Sequence, residues 1–352
     1  MSPAEFWDDV VHASRPPVVL PDIGTFFNQD VALAARMVAA VKAAGARYVK
    51  GEVLHDAEIC LKTDVAEHYL GADAQSVGEN YRQLVERKAL PLSQYEKIFA
   101  PCRELKLGLV LSVYDLKGAD FAKRLGACAL KIASTNVVHA PLIRYCAGLD
   151  LPLIIDTGKA TLDEALRAVN WARRAGAERI VLEYSPPAPP APVARHNLRV
   201  FNRLAELFNG PLGLSDHHAG EEMLYAATAL GCRVLEKGLC ADGSRNDQDV
   251  FHALPVSQLG QVIQKCRNIH SALGDADEAY MPPPQRPAGR MGIIAQRDLT
   301  SGTVINLEAV RFAFPTLGIA VEDWDKIDQA RLKAPVAAGQ PIEWSHVDSS
   351  PA

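Results

Sequence analysis

The sequence contains no Cys-x-x-Cys pair, although it has seven cysteines among 352 residues. An odd, unpatterned set in a chain of this size reads as reduced thiols in a cytoplasm. No apolar run reaches the ~18 residues that a membrane span needs. The first residues, MSPAEFWDDVVHASRPP, carry acids where a signal peptide needs a basic and then an apolar segment. Lys and Arg form no cluster, and a formal net charge of −5 offers no basic stripe to a nucleic acid. No GxGxxG follows the first strand-like run, which weighs against a dinucleotide-binding sheet. The expectation is a soluble, cytoplasmic protein with neither a nucleic-acid nor a membrane partner.

What is present is a repeat. The composition, 48% hydrophobic and 22% charged, suits a globular chain of one large domain or two. Short apolar runs at 18–24, 48–53, 107–115, 128–134, 151–158, 179–185, 210–216 and 233–239 alternate with amphipathic stretches such as TLDEALRAVNWARRAGA. Eight such units over ~250 residues predict an α/β fold, a closed (β/α)8 TIM barrel. Each apolar run ends in polar residues: Asp22, Lys50 and Glu52, Asp115, Lys131 and Ser134, Asp156 and Thr157, Glu183, Ser215 to His217, Glu236 and Lys237. In a barrel those ends converge on one face, where an active site is expected. The long excursion at 54–89 reads as one or two short helices over part of the mouth. The Pro-rich SPPAPPAPVARH reads as a stiff loop on the same face. The barrel is expected over residues 1–280 and a Pro-rich linker over 281–290. Residues 291–352 follow as a small, mostly β domain.

The stretch GPLGLSDHHAG, with VLEKGL downstream, resembles the sialic acid (N-acetylneuraminate) synthase family. So do LKIASTNVVHAPLI, LPLIIDTGKATLDEALRAV, AGARYVKGEV and the tail GIIAQRDLTSGTVINLEAVRF. The resemblance spans roughly residues 17–347 and includes a C-terminal antifreeze-like (SAF) domain. It implies condensation of phosphoenolpyruvate with an open-chain aldose, releasing phosphate and giving a nonulosonate-like 3-deoxy-2-keto sugar acid. Lys50, Lys131, Ser134 and Ser215 match positions that hold phosphoenolpyruvate. Asp22, Glu52 and Asp249 are the candidates for acceptor binding and proton transfer. His217 matches one of two histidines that hold a divalent metal, Mn or Mg. The family also implies a homodimer with exchanged SAF domains, in which an arginine, here Arg290, reaches the sugar of the partner's barrel. Asp216 reads as a local cap, and His218 stays open.

Several positions depart from that pattern. The second metal histidine is Gly238, so metal dependence is expected to be weakened. The family's first-strand Glu is Asp22, the acid after KIAS is Asn136, an amide that binds sugar but exchanges no proton, and Gln of the KFQ-like motif is Glu52. STGM reads DTGK, adding Asp156 and Lys159. These changes gather at the barrel mouth. They imply either an acceptor other than the family's usual one or a non-catalytic sugar- or anion-binding paralogue. A barrel interior ion pair is the structural alternative for Lys131.

Overall fold

The computed structural model describes residues 1–71, 73–187, 191–242, 249–275 and 289–348. The chain divides into two compact units, Met1–Gly274 and Asp275–Ala352. Of the expected linker 281–290, residues 281–288 lie outside the described residues.

All eight expected strands form: β1 Val18–Asp22, β2 Tyr48–Val53, β3 Gly108–Val113, β4 Ala129–Ile132, β5 Leu153–Asp156, β6 Ile180–Tyr184, β7 Leu212–Asp216 and β8 Val234–Cys240. Neighbours pair in parallel in chain order, and β1 returns to β8 from Val18↔Val234 to Asp22↔Gly238, closing the barrel. Nearly every strand residue is buried, because helices cover the outer face and side chains fill the inside. Several helices start at a capping side chain. Asp30 accepts a hydrogen bond from the Leu33 amide, Asp115 from Gly118, and Thr161 and Glu164 form a capping box ahead of Leu162–Arg174. The main core lies between strands and helices. A second apolar cluster closes the barrel floor, where Phe6 and Val10 of the helix Pro3–Val11 pack on Val18, Leu20, Tyr48 and Val110.

The excursion after β2 has the expected short helices, a 3-10 turn Ala57–Ile59 and the helix Tyr81–Lys88, and adds a hairpin to them. It holds an antiparallel hairpin, Ala66–Leu70 with Ser76–Asn80, ahead of the helix Tyr81–Lys88. Its strands are mostly exposed or half-buried, so it lacks the apolar alternation that would have marked it in the sequence. The Pro-rich loop has a 3-10 turn at Val193–Arg195, and its residues 188–190 lie outside the described residues.

The smaller unit is a mostly irregular β structure, as expected. Gly292–Ala295 pairs antiparallel with Val310–Ala313, and isolated bridges such as Leu299↔Val336 and Leu332↔Val347 complete it. Its core is Ile293, Leu299, Ile305, Ile319, Leu332 and Ile342 with their neighbours.

Candidate active site

A cavity of about 860 Å3 opens at the C-terminal ends of the strands. It is lined by Asp22, Lys50, Glu52, Lys131, Ser134, Asn136, Ser215, His217, Gly238 and Asp249 among others. The structure thus brings nine of the ten expected site residues to one place: the exception is Arg290, which belongs to the smaller unit. There its guanidinium pairs with Glu322 at 2.5 Å, and its backbone carbonyl accepts a hydrogen bond from the Thr316 hydroxyl at 2.6 Å.

The cavity floor is a chain of buried charges. Lys50, on β2, is 1% exposed, and its Nζ lies 2.5 Å from Asp22 Oδ2 and 3.5 Å from both Glu52 Oε1 and Glu236 Oε1. Lys131, on β4 and 2% exposed, contacts Glu236 Oε1 at 2.5 Å, Glu183 Oε2 at 2.8 Å and Asp156 Oδ2 at 3.0 Å. Glu236 therefore joins the two ammonium groups. Ser215 Oγ donates to it at 3.1 Å and accepts from Lys131 at 3.3 Å. The ion-pair reading of Lys131 and the anion-binding reading share the same atom.

Burial and charge sort these carboxyls. Burial favours the neutral form of Glu236, yet the two ammonium groups outweigh it and hold its pKa down to about 2. Glu183 reaches Lys131 alone, and burial carries it up to about 8. Asp22 is raised by burial to about 6, against the pull of Lys50. For both lysines, burial is outweighed by the surrounding carboxylates, so both stay charged. An excess of acids over bases on the floor is the main electrostatic feature that residue-by-residue matching missed. The strand-end positions of Glu183 and Glu236 were its only signal.

Several cavity-lining groups have unused hydrogen-bonding capacity. Ser112 Oγ, Asn136 Nδ2 and His252 Nδ1 are buried without a partner. Leaving such groups unpaired costs about 1–3 kcal/mol each unless a ligand satisfies them. Ser112 and His252 were not anticipated; one sits mid-strand and the other in a loop, and neither position carries a motif. Asp216 does act as a cap: its Oδ1 accepts from the His218 amide and its Oδ2 from Lys237, both at 2.9 Å. His218 turns aside to pair with Glu222 at 3.2 Å and to pack on the His196 ring.

The metal question rests on His217 and Gly238. His217 Nδ1 lies 3.2 Å from the Ser215 carbonyl, which can only accept, and 3.1 Å from Ser185 Oγ. The ring hydrogen is therefore on Nδ1, and Nε2 keeps its lone pair, the arrangement of a metal-ligating imidazole. Gly238 supplies no donor, and a Cβ there would stand 3.1 Å from Phe26 Cζ. Another imidazole does meet His217: His252, with ring centroids 4.8 Å apart and planes at 69°. Among the described residues no group of three His, Cys, Asp or Glu side chains is arranged to hold a metal. The imidazoles that stand beside that position are these two. Cys240 is buried, with Sγ directed at the Ala253 carbonyl.

The chain matches two family models, the NeuB family over residues 37–278 and the SAF domain over 290–348. It is 28% identical to an N,N'-diacetyllegionaminic acid synthase of Legionella pneumophila, over 94% of each chain. It is 24% identical to a pseudaminic acid synthase of Helicobacter pylori, over 96% of this chain and 99% of that one. The fold is similar to that of an N-acetylneuraminic acid (sialic acid) synthetase from Leptospira borgpetersenii solved with citrate, at a TM-score of 0.67 and 20% identity, covering 77% of this chain and 90% of the other. No helix among the described residues is long and apolar enough to cross a membrane.

Proposed function

Because this chain belongs to the NeuB family, we propose that it condenses phosphoenolpyruvate with an aldose, releasing phosphate and forming a nonulosonate-like 3-deoxy-2-keto sugar acid. The observation that carries the reading is the pair of buried ammonium groups, Lys50 and Lys131, at the floor of a cavity whose walls hold unpaired donors. A donor bearing a phosphate and a carboxylate needs such charge-assisted partners. Lys50, Lys131, Ser134 and Ser215 hold it. Ser112 and Asn136 offer hydrogen bonds to the acceptor's oxygens, and Glu52 and Asp249 line its path. Asp22, raised to about 6, is poised to take a proton from the water that attacks the enol carbon. His217 matches the family's metal site and would hold a divalent ion, which would supply polarisation of the aldehyde oxygen.

The reading extends to assembly: a homodimer in which the SAF unit of one chain covers the barrel of the other and Arg290 reaches the acceptor. An added guanidinium and the exclusion of water both favour a charged transition state. Ending the chain near Pro284 is then expected to abolish turnover while the barrel stays folded, and a fully active monomer rules the arrangement out.

A second reading, a non-catalytic sugar- or anion-binding paralogue, is favoured by the three carboxylates that surround Lys131 within 3.0 Å. One experiment separates the two: phosphate release from phosphoenolpyruvate across a panel of aldoses, with thermal protection by phosphoenolpyruvate measured alongside. Release supports condensation, protection without release supports the paralogue, and neither response refutes both.

A further inference from the structure

We propose that His252 supplies the second imidazole of a divalent-metal site at the barrel mouth, in place of the side chain that position 238 lacks. The pair His217 and His252 then selects a first-row transition ion over Mg2+. This deepens the reading above, but its test uses neither donor nor acceptor.

Chain geometry puts His252 there. After β8 the chain makes a 3-10 turn, Val250–His252, and then lays the short strand Leu254–Pro255 alongside β8, with Leu239 opposite Leu254. That pairing draws the turn back onto Gly238, and Ala253 Cα would lie 3.9 Å from a Cβ at that position. Phe26 Cζ would stand 3.1 Å from the same Cβ. The space beside Gly238 is therefore shared by a phenyl ring and the backbone next to His252. An imidazole still stands against His217, but it comes from the following loop.

His217 is oriented as a ligand, and His252 has a buried ring nitrogen without a partner. Ser215 O fixes the hydrogen of His217 on Nδ1, leaving Nε2 as the lone-pair nitrogen. On His252 the nearest carboxylate, Asp249 Oδ1, lies 3.7 Å from Nε2. That distance is beyond hydrogen-bond reach, so it leaves the ring hydrogen of His252 unassigned. Nδ1 is the buried atom without a partner, in a side chain 3% exposed. Backbone carbonyls orient metal-bound imidazoles as Ser215 O orients His217. Two neutral nitrogens suit Co2+, Ni2+ or Zn2+ better than Mg2+, which prefers an all-oxygen shell. Water or an acceptor oxygen completes the coordination.

The test is a titration of the full-length protein, stripped with chelator, with Co2+ alone, followed by its visible absorption and by calorimetry. The expected result is one Co2+ per chain. His252→Gln should weaken it at least about tenfold, as disruption of metal-ligand shells does. A large excess of Mg2+ should fail to displace it. Circular dichroism checks that the variant folds. Pulsed electron paramagnetic resonance of Mn2+ bound to the unaltered protein needs no variant and should count two imidazole nitrogens. Absence of Co2+ binding, binding unchanged in a folded His252→Gln, or a single coordinated imidazole would overturn the assignment. Each of these outcomes leaves the condensation reading standing, because that reading is tested by phosphate release.

Discussion

Replacing Lys131 by methionine removes one positive charge from the centre of the barrel while keeping the length of the side chain. Three carboxyl groups lose their common partner: Glu236 at 2.5 Å, Glu183 at 2.8 Å and Asp156 at 3.0 Å. Unit charges ~3 Å apart attract by about 5.5 kcal/mol at an effective dielectric of ~20. The desolvation of each buried ion, several kcal/mol, offsets most of that sum. What is left when one partner is removed is a loss of about 3–5 kcal/mol, against a whole-domain stability of about 5–15 kcal/mol. The loss has a pH signature. Glu236 is held near 2, below its ordinary 4.5, so the stability it contributes is complete above pH 4.5 and is lost as pH falls through about 2. Without the ammonium, the acids take up protons in the folded state at higher pH, and the deficit of the variant shrinks on acidification. Urea denaturation of both proteins at pH 8 and pH 5 measures this. Lys131→Met combined with Glu236→Gln should recover about 0.5–3 kcal/mol relative to additivity, as coupled contacts do. A deficit below about 1 kcal/mol at pH 8, equal at both pH values and additive with Glu236→Gln, would refute the electrostatic account of the cavity floor.

Three further outcomes are expected. Glu183 titrates near 8 when folded and near 4.5 otherwise, so the native state keeps a proton that the unfolded chain has lost; stability from this group falls as pH rises across that window. Glu183→Gln should flatten the slope in denaturation curves at pH 5, 6.5 and 8, and an unchanged slope would count against it. If Asp22 takes the water's proton, kcat/KM should rise with pH through about 6, and Asp22→Asn should remove that limb; a limb surviving the substitution excludes Asp22 from the role. Gly238→His places a Cβ 3.1 Å from Phe26 Cζ and should cost about 1–3 kcal/mol by overpacking. Phe26→Ala in the same chain should relieve it, and calorimetry showing an undiminished Tm for Gly238→His alone would contradict the crowding.

How much of this was legible beforehand follows from the range of the interactions involved. The eight barrel strands are written in local patterns, because a strand buried on both faces is largely apolar along its length. The hairpin Ala66–Leu70 with Ser76–Asn80 is not, since its faces are mostly solvated and its pairing rests on backbone hydrogen bonds that any residue can make. The strand ends named their polar residues, and convergence on one mouth follows from parallel strands closing into a barrel. Which acid meets which lysine does not follow. Lys131 and Glu236 stand 105 positions apart in sequence, and only the barrel's closure, with its register and side-chain packing, brings one carboxylate between two ammonium groups. The glycine at 238 implied a missing ligand only through the resemblance to the family's pattern. That an imidazole from position 252 stands beside His217 was decided by a loop folding back on β8, because contacts between distant residues depend on the path of the chain and leave no periodic mark along it.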